Sequence, residues 1–304
     1  MANAVTRHGV AEWLGAIVRI VAFIVLGGLL ALAFLAAYRQ LPRDSGESAM
    51  LIGGSIPAVA ALLAGAALIR AFDGRSPAAL GIGVSSRTAG LSTTGLLIGI
   101  VGLTAAAALL LAPGMLTYRP QAGTTGEWLA TLGQDAAVFA VAALAEEAVF
   151  RGYPFQVLVR IAGAPVAVIV SSVGFAAVHR NNPEVSVFAL VNIFLAGVVF
   201  ALAFLRTLSL WFVTTLHLGW NWAMATLFDL PVSGIQQFDT PLYEPTVRGP
   251  VWFTGGEFGP EGGVVGTIGF AVTLVAILRV RTVQPDPGVR AAGPLVLPQA
   301  TANA

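Results

Sequence analysis

The chain has 304 residues, of which 57% are apolar and only 10% charged, with a formal net charge of +1 and no cysteine. Soluble domains carry about 25% charged residues, so this composition places most of the mass inside a bilayer, and the lack of Cys excludes a disulfide framework, a thiolate nucleophile and a thiolate-bound metal. All 16 basic residues are arginines, set mostly singly at the ends of apolar runs, which excludes the basic stripe with interleaved aromatics of a nucleic-acid binder.

About 20 helical residues cross a hydrocarbon core of about 30 Å, and apolar runs of that order recur along the chain. The first, Trp13–Tyr38, follows Arg7 and His8. It exceeds the roughly 7–15 residues of a cleaved signal's apolar region, so it is read as a spanning helix. Further runs fall at Met50–Phe72, Ala89–Ala112, Gly133–Arg160, Ala164–Arg180, Val185–Arg206, Leu208–Leu230 and Gly262–Val280. The expected fold class is therefore all-α, a polytopic transmembrane bundle of about eight spanning helices.

Between the last two runs, Pro231–Glu261 is rich in Gly and Pro and carries Asp239, Glu244, Glu257 and Glu261 against Arg248, and it is expected to be a solvated loop. The tail from Gln284 to Ala304 lacks helical periodicity and is expected to be disordered. The organisation expected is three N-terminal helices over 1–127, a core over 128–228, an exposed acidic loop over 229–261, a last helix over 262–283 and the tail. With eight spans both termini share a side. That side and the even connections hold ten arginines, the odd connections five. The positive-inside rule then predicts a multi-pass protein of the cell membrane with both termini in the cytoplasm.

Ionisable groups inside such runs are candidates for function, because a charge at a helix centre costs about 2.5–3.5 kcal/mol on insertion scales. The fourth run contains Glu146, Glu147 and Arg151. Glu147 and Arg151 are four apart and share a face, so they can pair on their own helix. Glu146 has no such partner, and a desolvated carboxylate of this kind is what a general base requires. Two of the three histidines, His179 and His217, also lie in apolar runs, and His217 and Asn221 share a helix face at i,i+4. Asn192 reads as a hydrogen-bonding contact between helices, and Asn181, Asn182 and Pro183 as a turn beside His179. Trp128, Trp211, Trp220 and Trp222 read as interface or packing aromatics.

Taken in order, Glu146-Glu147-x-x-x-Arg151, Phe175-x-x-x-His179 and His217-x-x-x-Asn221 resemble the three motifs of the CPBP family, which comprises CAAX prenyl proteases and bacteriocin-processing or immunity enzymes. Flanking residues agree, with Phe150-Arg151-Gly152-Tyr153 after the first motif and Gly197 and Leu205–Trp211 before the third. The resemblance covers roughly residues 128–228. It implies an intramembrane endopeptidase acting on a peptide or membrane-protein substrate, lipidated ones included, in a lipid environment. The catalytic residues it implies are Glu146, His179, His217 and Asn221, supported by Glu147 and Arg151. Glu146 can take a proton from water, His179 can orient that water, and His217 with Asn221 can hold the oxyanion. The alternative assignment makes Glu146, His179 and His217 ligands of a divalent metal such as Zn²⁺. Two other functions use the same residue types: a proton-coupled membrane transporter and a non-catalytic immunity-type binding protein. Repeated halves with interrupted helices, the usual mark of a transporter, are missing from the sequence.

Overall fold

A computed structural model describes residues 9–41 and 47–297; Arg7, His8, Arg43 and the last seven residues of the tail lie outside the described residues. The apolar runs form the helices of an all-α membrane bundle. The first three are α1 (Val10–Tyr38), α2 (Glu47–Asp73) and α3 (Thr88–Leu111). The fourth starts earlier than expected, as α4 (Thr125–Phe150), because the Thr124 hydroxyl accepts the Glu127 N–H while the Glu127 carboxylate reaches back to the Thr124 N–H. That reciprocal cap fixes a helix start that apolar periodicity does not mark. The same run breaks at Gly152 into α5 (Tyr153–Ala162). A Cβ at position 152 would lie 2.1 Å from the Ala148 carbonyl oxygen, so the sharp exit from α4 requires glycine.

The rest of the bundle is α6 (Ala164–Val178), α7 (Val187–Thr207), α8 (Leu210–Trp222), a further π-helical turn over Ala223–Leu227, and α10 (Val264–Arg279), after the short α9 (Val251–Thr254). Among the described residues, five stretches are long and apolar enough to cross a membrane: α1, α2, α3, α4 with α5, and α7. Their outward faces carry large apolar side chains, among them Leu14, Ile24, Leu32, Leu97 and Val191, as a lipid-facing surface must. The apolar helices α6 and α10 are shorter, at 15 and 16 residues. The rise of α6 is about 22 Å, less than the core thickness of about 30 Å. Backbones of α3 and α8 meet closely through small residues, since a Cβ at Gly99 would lie 2.1 Å from the Leu216 carbonyl and one at Gly219 2.2 Å from that of Leu96. Small residues let membrane helices approach in this way, and here they fix the helix that carries His217.

The two ends of the bundle are closed differently. At one end Asp73 receives Arg19, Arg160 and the Tyr153 hydroxyl, and Arg206 donates to the carbonyls of Leu278 and Val283. At the other end β1 (Leu116–Pro120) pairs antiparallel with β2 (Tyr243–Val247), Leu116 opposite Val247. This hairpin-like pair was not expected, and it corrects the reading of 229–261 as an exposed loop. The segment is a folded cap. Leu230, Val232, Thr240, Phe258 and Glu261 are buried in it, the Tyr118 hydroxyl donates to the Phe228 carbonyl, and the Asn182 amide donates to that of Ser233. Glycine and proline here build tight turns against protein rather than a solvated linker.

The tail requires a second correction. Residues 284–297 dock on the first end, with α11 (Pro287–Ala292) started by Asp286, whose carboxylate accepts the Gly288 and Val289 N–H groups and the hydroxyls of Ser85 and Thr88. Val283, Val289 and Leu295 are buried, and the Leu295 N–H donates to Gln156. Their six-residue spacing fits neither helical nor strand periodicity, so their packing is invisible to pattern reading.

Candidate active site

Beneath the cap lies a cavity of about 200 Å³. Three elements bring polar groups to it: α4 supplies Glu146, the C-terminal end of α6 supplies His179, and α8 supplies His217 and Asn221. The structure thus places all four expected residues on one cavity, although 75 positions separate the first from the last. Phe175, Phe200, Phe139, Phe238, Ile193 and Met50 make much of the remaining wall apolar.

Each imidazole is held from behind. His179 Nδ1 lies 2.7 Å from the Phe175 carbonyl of its own helix, four residues back. A carbonyl only accepts, so Nδ1 carries the hydrogen and the neutral ring presents an Nε2 lone pair to the cavity. His217 Nδ1 lies 2.9 Å from Glu147 Oε1, which places a hydrogen on Nδ1 by the same reasoning, and the ring stacks on Phe200 at 4.6 Å. The two Nε2 atoms stand 3.9 and 4.0 Å from one atom, Glu146 Oε2. That oxygen is buried and has no hydrogen-bond partner among the described residues. Separations of this size exceed a direct hydrogen bond of about 2.7–3.2 Å and leave room for a bridging group.

Glu147 and Arg151 form the expected pair, 3.3 Å apart and fully buried. Arg151 also donates to the Gly197 carbonyl at 2.9 Å, and its guanidinium lies over the Phe175 ring at 4.7 Å. What spacing did not reveal is that Glu147 serves two partners: it holds Arg151 on its own helix and His217 across the bundle. Asn192 donates to the Glu261 and Gly263 carbonyls and accepts from Thr267, which ties α7 to the cap and to α10. Three further cavity residues were not singled out for the site by sequence, namely Glu261, Ser233 and Phe238. The one available signal was Glu261 itself, an acid at the edge of the last apolar run with no arginine at helical spacing.

For a metal, the relevant donors are the two Nε2 atoms and Glu146 Oε2. Among the described residues no three His, Asp or Glu side chains are grouped as ligands of one ion. The donor types suit Zn²⁺, but among the described residues the arrangement does not form a ligand set.

A helical membrane bundle that gathers a carboxylate, two oriented imidazoles and a carboxamide around one cavity has the make-up of a membrane-embedded hydrolase. Residues 128–223 match the model of the family described as type II CAAX prenyl endopeptidase, Rce1-like. The matched segment contains every residue of the three motifs and bears out the CPBP and CAAX-protease resemblance at the level of the family. A comparison with curated proteins finds no match.

Proposed function

We propose that this chain is an intramembrane endopeptidase in which Glu146 activates the attacking water. The observation that carries this reading is the convergence of two anchored Nε2 atoms on an unpartnered, buried carboxylate oxygen. A water held among these groups donates one hydrogen to Glu146 Oε2 and the other to His179 Nε2, which aims its oxygen lone pair at a carbonyl carbon in the cavity. As the C–O bond forms, the proton passes to Glu146. The oxyanion then needs donors, and the Asn221 amide is one. His217 is the other when its ring is doubly protonated from the start of the cycle, Nδ1–H on the Glu147 carboxylate that balances its charge and Nε2–H on the oxyanion, so that it gains no proton during the step. Collapse of the tetrahedral species breaks the C–N bond, and Glu146 returns its proton to the leaving amine.

The supporting pair also has a mechanistic use. Arg151 fixes Glu147, and Glu147 holds the Nδ1–H of His217, so the ion pair orients a donor as well as neutralising a buried charge.

The test compares protein termini, by mass spectrometry, in membranes from cells carrying wild-type or Glu146→Gln protein. Gln keeps the shape and removes the base, so wild-type-specific termini should vanish in the variant. The same termini at the same abundance with a well-folded Glu146→Gln protein would overturn the reading. Repeating the assay with purified protein and a chelator separates the two chemistries: glutamate and histidine acting alone predict unchanged cleavage, while a loss restored by Zn²⁺ assigns the metal.

A further inference from the structure

A second carboxylate, Glu261, lines the same cavity and has no part in the hydrolysis described above. It is contributed by the cap, outside the segment that matches the family. Its side chain is 4% exposed. Its two oxygens accept one hydrogen bond each, Oε1 from the Trp220 indole N–H at 3.0 Å and Oε2 from the Ser233 hydroxyl at 2.6 Å. Both donors are neutral. Among the described residues no arginine or histidine stands within ion-pairing distance of it.

Such an arrangement is expensive to keep. Removing a carboxylate from water carries a large desolvation penalty, and two neutral donors recover only part of it. Two buried carboxylates contrast with it, Glu147 being paired with Arg151 and Asp73 with Arg19 and Arg160, and the buried Asp286 accepts from four neutral donors, Gly288 N–H, Val289 N–H and the Ser85 and Thr88 hydroxyls, against two for Glu261. Glu261 is also held in a fixed pose. Trp220 is stacked on Phe270 at 4.3 Å, and Ser233 sits in the left-handed region at φ 50° with its carbonyl bonded by Asn182. A tip residue other than glycine in that conformation is strained unless its contacts hold it. Each carboxylate oxygen keeps acceptor capacity beyond its single bond.

We infer that Glu261 is a specificity-determining residue, which receives a cationic side chain of the substrate, that of an Arg or Lys flanking the scissile bond. The inference rests on the protease reading of the cavity. The substrate's guanidinium or ammonium supplies the charge that the protein withholds, and a charge-assisted bond in a low-dielectric wall is the strong kind. Because the bond forms in the bound substrate and involves no reacting atom, it acts mainly on KM.

The experiment uses purified full-length protein in detergent and a peptide library of broad composition, with cut sites read by mass spectrometry for wild type, Glu261→Gln and Glu146→Gln. The wild type should cut sites enriched at least tenfold for Arg or Lys at one fixed position. That enrichment should fall to near background in Glu261→Gln. Enrichment is a ratio among substrates, so it does not depend on how much of the variant is folded. Absence of enrichment in the wild type, or undiminished enrichment in Glu261→Gln, overturns the inference. Were Glu261→Gln not to fold, replacing the enriched Arg by citrulline in a peptide cut by the wild type decides: kcat/KM falls at least tenfold through KM, or the inference fails. The underlying reading fails separately, by identical cuts from Glu146→Gln.

Discussion

At the scale of single residues, the cavity separates groups that touch the reaction from groups that hold them. In the proposed mechanism Asn221 is an oxyanion donor, and removal of one such donor typically costs about 10²–10³ in turnover. Asn221→Ala should therefore lose kcat by about that factor while its thermal unfolding in detergent stays close to wild type. Arg151 is the opposite case. Its guanidinium is fully buried among Phe150, Phe175 and Phe200 and pairs with Glu147, and breaking a buried pair from one side costs about 3–5 kcal/mol. Arg151→Gln should lower the unfolding temperature markedly, and the protein that remains folded should keep part of its activity. A variant with normal stability but no activity would place Arg151 in the chemistry instead. The sequence made these roles legible only within one helix. Spacing of four pairs Glu147 with Arg151 and His217 with Asn221, whereas the bond from Glu147 to His217 joins positions 70 apart and depends on how α4 and α8 pack.

At the scale of elements, the apolar runs announced their helices because burial in lipid demands long unbroken stretches. Where an element is held by protein instead, pattern reading loses it. The cap is the clearest instance: β1 and β2 are five residues each, too short and too polar to register as strands, and they exist because they pair with each other. The cap also carries a pH-sensitive group. Burial, with the Asp239 and Glu244 carboxylates nearby, raises the Asp229 carboxyl from its ordinary 3.8 to about 6, against the opposing pull of the Thr240 N–H, which it accepts at 3.0 Å. A raised carboxyl pKa means the folded protein holds the proton more tightly than the unfolded chain. Its contribution to stability is therefore present at acid pH and lost as pH rises from about 4 to about 6. Protection against hydrogen exchange in the 229–247 segment, taken relative to the intrinsic rate at each pH, should fall over that interval in the wild type. Asp229→Asn should flatten the dependence, and an unaltered profile in the variant would assign it to other groups.

At the scale of the whole molecule, the bundle has two unlike ends, and the site belongs to one of them. Thr282, Arg206 and Arg87 lie together at the end closed by the tail, while His179 and Asn182 lie under the cap at the other. The arginine excess predicts that the tail end faces the cytoplasm. With the buried Arg151 left out and Arg19 counted at the tail end, where it reaches Asp73, the split is ten against five. This orientation has a consequence for substrates. It puts the cap and the cavity toward the outer face, where the scissile bond must belong to a peptide or membrane protein exposed on that side; the reverse orientation puts them in the cytosol, where a CAAX-type substrate arrives. Cysteines introduced singly decide between the two, since the native chain has none. Val251 on the cap is 65% exposed, and Thr282 is exposed at the tail end. An impermeant thiol reagent applied to intact cells should label Val251→Cys and spare Thr282→Cys, which becomes reactive on lysis. Labelling of Thr282→Cys alone in intact cells would invert the topology, turning the cavity toward the cytosol and with it the class of substrate that can reach Glu146.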